Sequence, residues 1–540
     1  MKRSHSTIQR FNELVNLIIF EDEGLLVINK PAGMNTHSPS PFAGEGIYEW
    51  LKNREPRWAN LAIIHRLDKE TSGAIVFGKT TLANRSLTTQ FAERKVSKKY
   101  LLLTDRKISF DTLKAESVLV RAGEKYVSRP IHSGGEHAET HFRKLKSDLG
   151  KTFVEAEPIT GKTHQIRVHA AEHGFPVLGD TIYGGTAASR VFLHAAEISF
   201  EHPATGKPVK FVAPENFSED SRLALRTSFL EPEWTNAFRM IHGAADRWPG
   251  WYVERLGEFL LSQSEQSLKS EQLEALESFL RQFSLRGAYH KILSRRVRQI
   301  SSTEASPQLV LGKDAPDEFV VLENGIQFAL SFKEGYSVGL FLDQRENRRR
   351  FLTNYIAPDL ILRQGSDDFS VLNTFAYTCG FSVCAAKAGA TVTSLDLSKK
   401  YLEWGKRNFV LNGLDPSHHN FVYGDTFNWF KRLSKKNRQF DAIILDPPTF
   451  SQSKEQGAFR VEKDFGKLVS AALPLLKSEG VLLASTNAAS LKPERFLEMI
   501  ATAVKSSERK IVQQHYVPQP PDFPIHREEP AYLKTIWLRA

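Results

Sequence analysis

His65-Arg66-Leu67-Asp68-Lys69-Glu70-Thr71-Ser72-Gly73 puts one carboxylate between a basic residue and a tight turn. Apolar runs flank it at residues 61–64 and 74–77. The pattern predicts strand, loop, strand, with Asp68 presented at the loop. An isolated Asp in such a place is more often a turn residue that bonds its own downstream backbone. The rest of the chain decides between the two readings.

Outward from that loop, 540 residues exceed a single core and predict roughly three or four domains. Apolar content of 41% and charged content of 25% are those of a soluble globular protein. The net charge of +10 is compatible with nucleic-acid affinity and equally with a merely basic soluble protein. The two cysteines, Cys379 and Cys384, exclude a disulfide framework and fit a reducing cytoplasm. No Cys or His cluster accompanies them, so they read as small buried residues and no metal is expected. The basic N-terminus lacks an apolar h-region, which argues against a secretory signal. No apolar run approaches the ~18 residues of a membrane span.

Residues 1–218 carry short β-branched and aromatic runs, at 25–28, 74–77 and 100–104, separated by polar turns. They predict an α+β unit with a mixed, mainly antiparallel sheet. Residues 219–235 are charged and patternless and read as a linker. Residues 236–312 read as a small auxiliary α+β unit: a loop and strand over 240–255, a strand from 259, and helical spacing over 273–283. Residues 313–540 open with a hairpin, 319–323 and 326–330, around Asn324-Gly325, a dipeptide suited to a type I′ turn. Strands at 371–375, 391–395, 442–445 and 480–484 then alternate with helical segments, which predicts a doubly wound parallel α/β sheet of Rossmann-like form.

The His65–Gly73 string resembles the active-site signature of RluA-type pseudouridine synthases. The resemblance continues in order through Asn29-Lys30-Pro31-Ala32-Gly33, Val96-Ser97-Lys98-Lys99-Tyr100, Gly161-Lys162-Thr163-His164-Gln165-Ile166-Arg167, Gly179-Asp180-Thr181-Ile182-Tyr183-Gly184 and Leu193-His194-Ala195. It covers roughly residues 15–215 and leaves no room before Ile18 for the S4-type RNA-binding domain that the family usually carries. It implies Asp68 as the catalytic residue, with Tyr100 and Arg167 in the same site and no cofactor. Asp68 would act as nucleophile on ribose or base, or assist glycosidic cleavage, on a uridine flipped into a pocket. Arg167 would pair with Asp68 and keep it ionised. Tyr100 would stack on the base and could take part in later proton removal.

A second constellation lies in the parallel sheet. Asn373-Thr374-Phe375-Ala376-Tyr377-Thr378-Cys379-Gly380 takes a strand through a loop of small residues into a helix, at the edge where ligands approach. Asp396 ends the next strand, about 20 residues on, where an acidic residue can bond ribose hydroxyls. Asp425 follows a third short run and could bond an adenine amine. In Asp446-Pro447-Pro448-Thr449-Phe450 two prolines fix φ and remove two N–H donors, Asp446 adds a carboxylate, and Phe450 offers a face for a base.

In series these resemble class I S-adenosylmethionine-dependent methyltransferases, with Asp446–Phe450 as motif IV. Gly339-Leu340-Phe341-Leu342-Asp343-Gln344-Arg345 resembles a segment of ribosomal-RNA methyltransferases of the RlmI and RlmK kind. The motif with Ser451, Ser453 and Lys454 is closest to the RlmK side, which methylates guanine N7. The resemblance covers roughly residues 236–540. It implies S-adenosylmethionine as cofactor, with Asn373, Tyr377, Gly380, Asp396 and Asp425 binding it. It implies Asp446 as catalytic, Pro447, Pro448 and Phe450 holding the acceptor base, and Gln344 and Arg345 touching cofactor or RNA. One departure matters. The RlmI branch makes 5-methylcytosine with a Cys after the strand that follows motif IV; here that stretch is Ala484-Ser485-Thr486-Asn487-Ala488. Hydroxyls are far weaker nucleophiles than a thiolate, which favours a nitrogen such as guanine N7.

The expectation is a cytoplasmic bifunctional enzyme acting on RNA, most plausibly large-subunit rRNA, with no obligate protein partner. The alternatives are one catalytic half joined to an RNA-binding module, or methylation of another base, of tRNA, of DNA or of protein. Basic stretches at 94–99, 295–298 and 345–350 are candidate phosphate contacts.

Overall fold

The computed structural model describes residues 17–540 except 216, 219, 294–305, 335–336, 366–367 and 454–456. The predicted basic stretch at 295–298 and Lys454 lie outside the described residues.

Alternation in the first 212 residues builds one eleven-stranded sheet. Its centre runs Leu25–Lys30, Ser72–Gly78, Leu193–Glu201, Ser97–Thr104, Lys151–Pro158. The described pairings are antiparallel except that of Ser72–Gly78 with Leu193–Glu201. Gly73 has φ 116°, and a Cβ there would collide with the Ala195 carbonyl, so this close approach requires glycine. Tyr100 pairs with Ala195 on its other edge. Three adjacent strands thus fix the Asp68 loop and Tyr100 relative to one another.

Five strands, Ala237–His242, Trp251–Leu256, Phe259–Ser264, Gly287–Ile292 and Gln308–Gly312, form the second sheet, with the Ser270–Gln282 helix between the third and fourth. Residues 240–242, read as loop, belong to its first strand. The stretch read as a linker carries a helix, Ser221–Thr227. Leu225 and Phe229 pack into the core beside the first sheet, while Leu223 and Leu230 pack into that of the second. Burying four such side chains at about 1.5–3 kcal/mol each is incompatible with a free connector.

The hairpin Phe319–Glu323 and Ile326–Leu330 turns at Asn324 (φ 50°) and Gly325 (φ 74°). Behind it a seven-stranded sheet runs Asn420–Tyr423, Thr391–Asp396, Ser370–Thr374, Phe440–Leu445, Leu476–Thr486, Lys534–Arg539, Gln513–Val517. The first five strands are parallel and the last two join antiparallel. Phe259 and Tyr289 of the second sheet share a continuous core with Phe319, Phe328, Phe332 and Val371. Among the described residues no helix is long and apolar enough to cross a membrane.

Candidate active sites

Asp68 opens onto a cavity of about 1020 Å³ lined also by Asn35, Thr36, Lys98, Tyr100 and Arg167. Its side chain keeps 27% of its exposure. Arg167 Nη1 stands 3.5 Å from Asp68 Oδ2, and His164 Nε2 stands 3.8 Å away. The expected Asp68–Arg167 pair is therefore long. The tight partner of Arg167 is Asp180, which accepts from Nε at 2.6 Å and Nη2 at 2.8 Å. Burial works against the Arg167 charge, but Asp180 and Asp68 more than offset it and raise its pKa. The Gln165–Glu172 helix carries Arg167, and His164 at its start adopts φ 58° and bonds Tyr183 at 2.7 Å.

Tyr100 is a neutral phenol, because burial and the Asp68 charge both push its pKa well up. Lys30 was legible only as part of a turn. It is buried, and its ammonium donates to the carbonyls of Pro31 (2.9 Å), Met34 (2.7 Å) and Lys69 (3.2 Å), clamping the loop next to Asp68. Burial lowers its pKa to about 7.

In the second site the loop after Ser370–Thr374 places Phe375, Tyr377 and Cys379 at φ 56°, 49° and 63°. Three non-glycine residues held in the left-handed region concentrate strain, a feature of ligand-binding loops. Asp396 secures this loop: its carboxylate accepts from Tyr377 N and Ser398 N, each at 2.8 Å. Phe341, Tyr377 and Tyr401 form an aromatic row beside it, with centroids 5.4 and 4.6 Å apart. Gly380 starts the following helix. Asp425 caps the Thr426–Lys435 helix by accepting from Asn428 N at 3.1 Å. Asn373 is 2% exposed and its amide donates to Ser382 Oγ at 2.8 Å, which braces strand against helix.

Asp446 accepts from Gln344 Nε2 at 3.2 Å, and the same amide donates to Ser485 Oγ at 2.8 Å. Gln344 is therefore a neighbour of the motif carboxylate. A second carboxylate, Asp343, stands close enough to act on it electrostatically and accepts from Tyr532 Oη at 3.0 Å. Burial and the Asp343 charge push Asp446 up to about 7. Pro448 and Phe450 are exposed at the rim, Pro447 is buried, and the Phe450–Ser453 strand pairs with Gly457–Arg460. Both cysteines are fully buried, and burial pushes Cys379 up to about 12.

Arg345 contradicts its assignment. It is 1% exposed and forms a two-pronged pair with Asp522, at 2.9 and 2.6 Å. The whole run 345–350 is internal: Arg348 grips Glu323 by two bonds of 2.6 Å, and Arg349 grips Glu55 at 2.6 Å. These arginines are satisfied by distant acids and do not meet RNA phosphates.

Comparison with known proteins gives a family for each half of the chain. Residues 24–172 match the RNA pseudouridylate synthase family. Residues 238–539 match the S-adenosylmethionine-dependent methyltransferase family. The chain is 37% identical over 225 residues to the ribosomal large subunit pseudouridine synthase C of Buchnera aphidicola, covering 39% of this chain and 71% of that protein. It is 31% identical over 332 residues to a ribosomal RNA large subunit methyltransferase of Deinococcus radiodurans, covering 59% and 77%. A crystal structure titled as a methyltransferase complexed with SAH aligns at TM-score 0.50 and 28% identity, over 64% of this chain and 88% of that one. The chain thus belongs to two families at once, pseudouridine synthases through its first sheet and S-adenosylmethionine-dependent methyltransferases through the rest.

Proposed function

We propose that the chain isomerises a uridine to pseudouridine at Asp68 and methylates guanine N7 at Asp446, both in large-subunit rRNA. The observation that carries the methyl acceptor is the pair of carboxylates, Asp343 and Asp446, beside Ser485, with both cysteines of the chain buried. S-adenosylmethionine, when bound, supplies an electrophilic methyl group. Attack by N7 uses a lone pair already present and leaves the purine ring cationic. Two acids at the site favour that positive charge and would disfavour a thiolate nucleophile. The strained loop 375–379, Asp396 and the aromatic row Phe341, Tyr377 and Tyr401 suit the cofactor's ribose, base and methionine ends. Gly380 lets the chain start a helix beside it, and Asp425 remains our assignment for the adenine amine. Pro447, Pro448 and Phe450 are the acceptor-base platform.

At the first site Asp68 attacks the ribose or the base, or assists glycosidic cleavage. Arg167, kept charged by Asp180, faces the Asp68 carboxylate from 3.5 Å. The raised pKa of Tyr100 suits it to stacking and not to proton removal. The names of the relatives support large-subunit rRNA as the shared substrate, and tethering two enzymes raises local concentration only if they share one. The two buried thiols support a reducing, cytoplasmic setting.

Mass spectrometry of nucleosides from large-subunit rRNA of cells with and without the gene tests this reading. One pseudouridine and one 7-methylguanosine should vanish together. Loss of 5-methylcytidine with 7-methylguanosine intact would refute the acceptor assignment.

The carboxylate pair also sets a pH dependence. Asp446 stabilises a cation only when ionised, so methyl transfer should rise with pH through a midpoint near 7. Asp343→Asn removes the neighbouring negative charge and should move that midpoint down. A midpoint that stays fixed in initial-rate profiles would exclude electrostatic coupling between the two acids.

A further inference from the structure

We propose that Arg349, a residue of the methyltransferase half, is a positioning residue for the pseudouridine synthase site. The link is a six-residue helix, Ile47–Lys52, that stands between the two halves. A helix this short has no stability of its own and depends on what satisfies its ends.

Its N-terminal end is bound to the wall of the uridine cavity. Ile47 N donates to the Asn35 carbonyl at 2.9 Å and Tyr48 N to the Thr36 carbonyl at 3.1 Å. Asn35 and Thr36 both line the cavity that holds Asp68. Thr36 Oγ1 in turn donates to the Leu67 carbonyl at 2.8 Å and accepts from Leu67 N at 3.1 Å. Leu67 is the residue before Asp68. Two hydrogen bonds from one hydroxyl therefore fix the backbone that presents the reacting carboxylate.

The C-terminal end is satisfied from the other half of the chain. The Lys52 carbonyl accepts from Tyr355 Oη at 2.7 Å. The Arg54 carbonyl accepts from Arg349 Nη1 at 2.8 Å, while Arg349 Nη2 donates to Glu55 Oε1 at 2.6 Å. Arg54 itself reaches back to Glu346 at 3.2 Å. Arg349 is 1% exposed, so this junction is desolvated and its loss cannot be replaced by water without opening the interface. A second contact, the edge of Phe42 against Tyr516 at 5.1 Å, docks the same segment.

The Ile47–Lys52 helix is thus a strut with one end in the methyltransferase half and the other under Asp68. Arg349 touches no substrate. It acts by holding the strut, and through it the angle at which Asp68 enters the cavity. Misplacement of a reacting group by about 1 Å can cost roughly 10²-fold in rate. The inference rests on Asp68 being the reacting group.

The test uses the full chain, with ribosomal RNA from cells lacking the gene as substrate. Arg349→Met removes both donors and keeps an unbranched apolar stem. Its kcat for pseudouridine formation should fall by about 10- to 100-fold while KM for the RNA is unchanged, because the strut orients Asp68 without meeting RNA. S-adenosylmethionine binding by calorimetry and the methyl-transfer rate should stay at wild-type level, which shows that the methyltransferase half is folded. Arg349→Lys, which keeps charge without the fork, should fall between. Wild-type kcat in Arg349→Met overturns the inference. If Arg349→Met loses cofactor binding, Tyr355→Phe decides instead, since it deletes a single hydroxyl: a lowered pseudouridine kcat supports the strut, and an unchanged one overturns it. Asp68→Asn run in parallel separates the two failures. Activity surviving in Asp68→Asn would sink the catalytic assignment, whereas its loss beside a fully active Arg349→Met would sink the strut alone.

Discussion

Asp68→Asn should abolish pseudouridine formation, by about 10⁴-fold or more, and leave methyl transfer at the wild-type rate. The substitution is nearly isosteric and removes only the negative charge and the nucleophilic oxygen. It should not unfold the site, because Asp68 is not the group that neutralises Arg167. That burden falls on Asp180, which makes two short hydrogen bonds to the guanidinium while Asp68 stands at 3.5 Å. The backbone of the loop is held independently by Lys30 and Thr36. The melting temperature should therefore change little. Site-specific mapping of pseudouridine in rRNA from a complemented deletion strain, with incorporation of labelled methyl measured on the same preparation, gives both readouts. Retained pseudouridine, in a host with no second enzyme for that position, would show that another group performs the chemistry.

The Asp68 loop was legible because its signals are adjacent in sequence. A strand must precede it, a strand must follow, and Gly73 marks the close approach to Ala195 that only glycine permits. The Asn324-Gly325 turn and the alternation of strands and helices after residue 370 were legible for the same reason. What could not be read was the destination of charged side chains. Arg345, Arg348 and Arg349 look in sequence like a solvated basic stripe, the ordinary fate of such a run. Their acids lie far away: Asp522 is 177 positions from Arg345 and Glu55 is 294 from Arg349. No local pattern encodes such pairings. The Asn373 bond to Ser382 was hidden for another reason. A strand in a doubly wound sheet is buried on both faces, so alternation does not tell which face meets the ligand. The Ser221–Thr227 helix was missed because it is short and its two buried leucines, Leu223 and Leu225, stand only two apart and enter different cores.

Asp522→Ala should be the most damaging single change for the second half. Arg345 and Asp522 are each 1% exposed and joined by two hydrogen bonds. Removing the acid takes away the hydrogen-bonded counter-charge of a buried guanidinium and leaves it only the longer contact with Glu346 at 3.6 Å; breaking a buried pair costs about 3–5 kcal/mol in comparable cases. The Arg345 pKa is held up by Asp522 against the penalty of burial, and the cation cannot escape by losing its proton. Asp522 also accepts from the backbone of Arg239 at 3.0 Å, so the second sheet loses an anchor as well. The apparent melting temperature should fall by roughly 10 °C. The catalytic effect follows from position. Gln344, which donates to Asp446, directly precedes Arg345. Freeing Arg345 should loosen Gln344 and lower the methyl-transfer rate beyond what the folded fraction accounts for. Asp522→Asn keeps one acceptor oxygen and should recover part of the stability, but not the charge. Thermal denaturation with and without S-adenosylmethionine, beside initial rates scaled to cofactor-binding sites, separates the two effects. A melting temperature within about 2 °C of wild type would mean that Arg345 finds another partner and that the pair is not what holds the 345–353 helix in place.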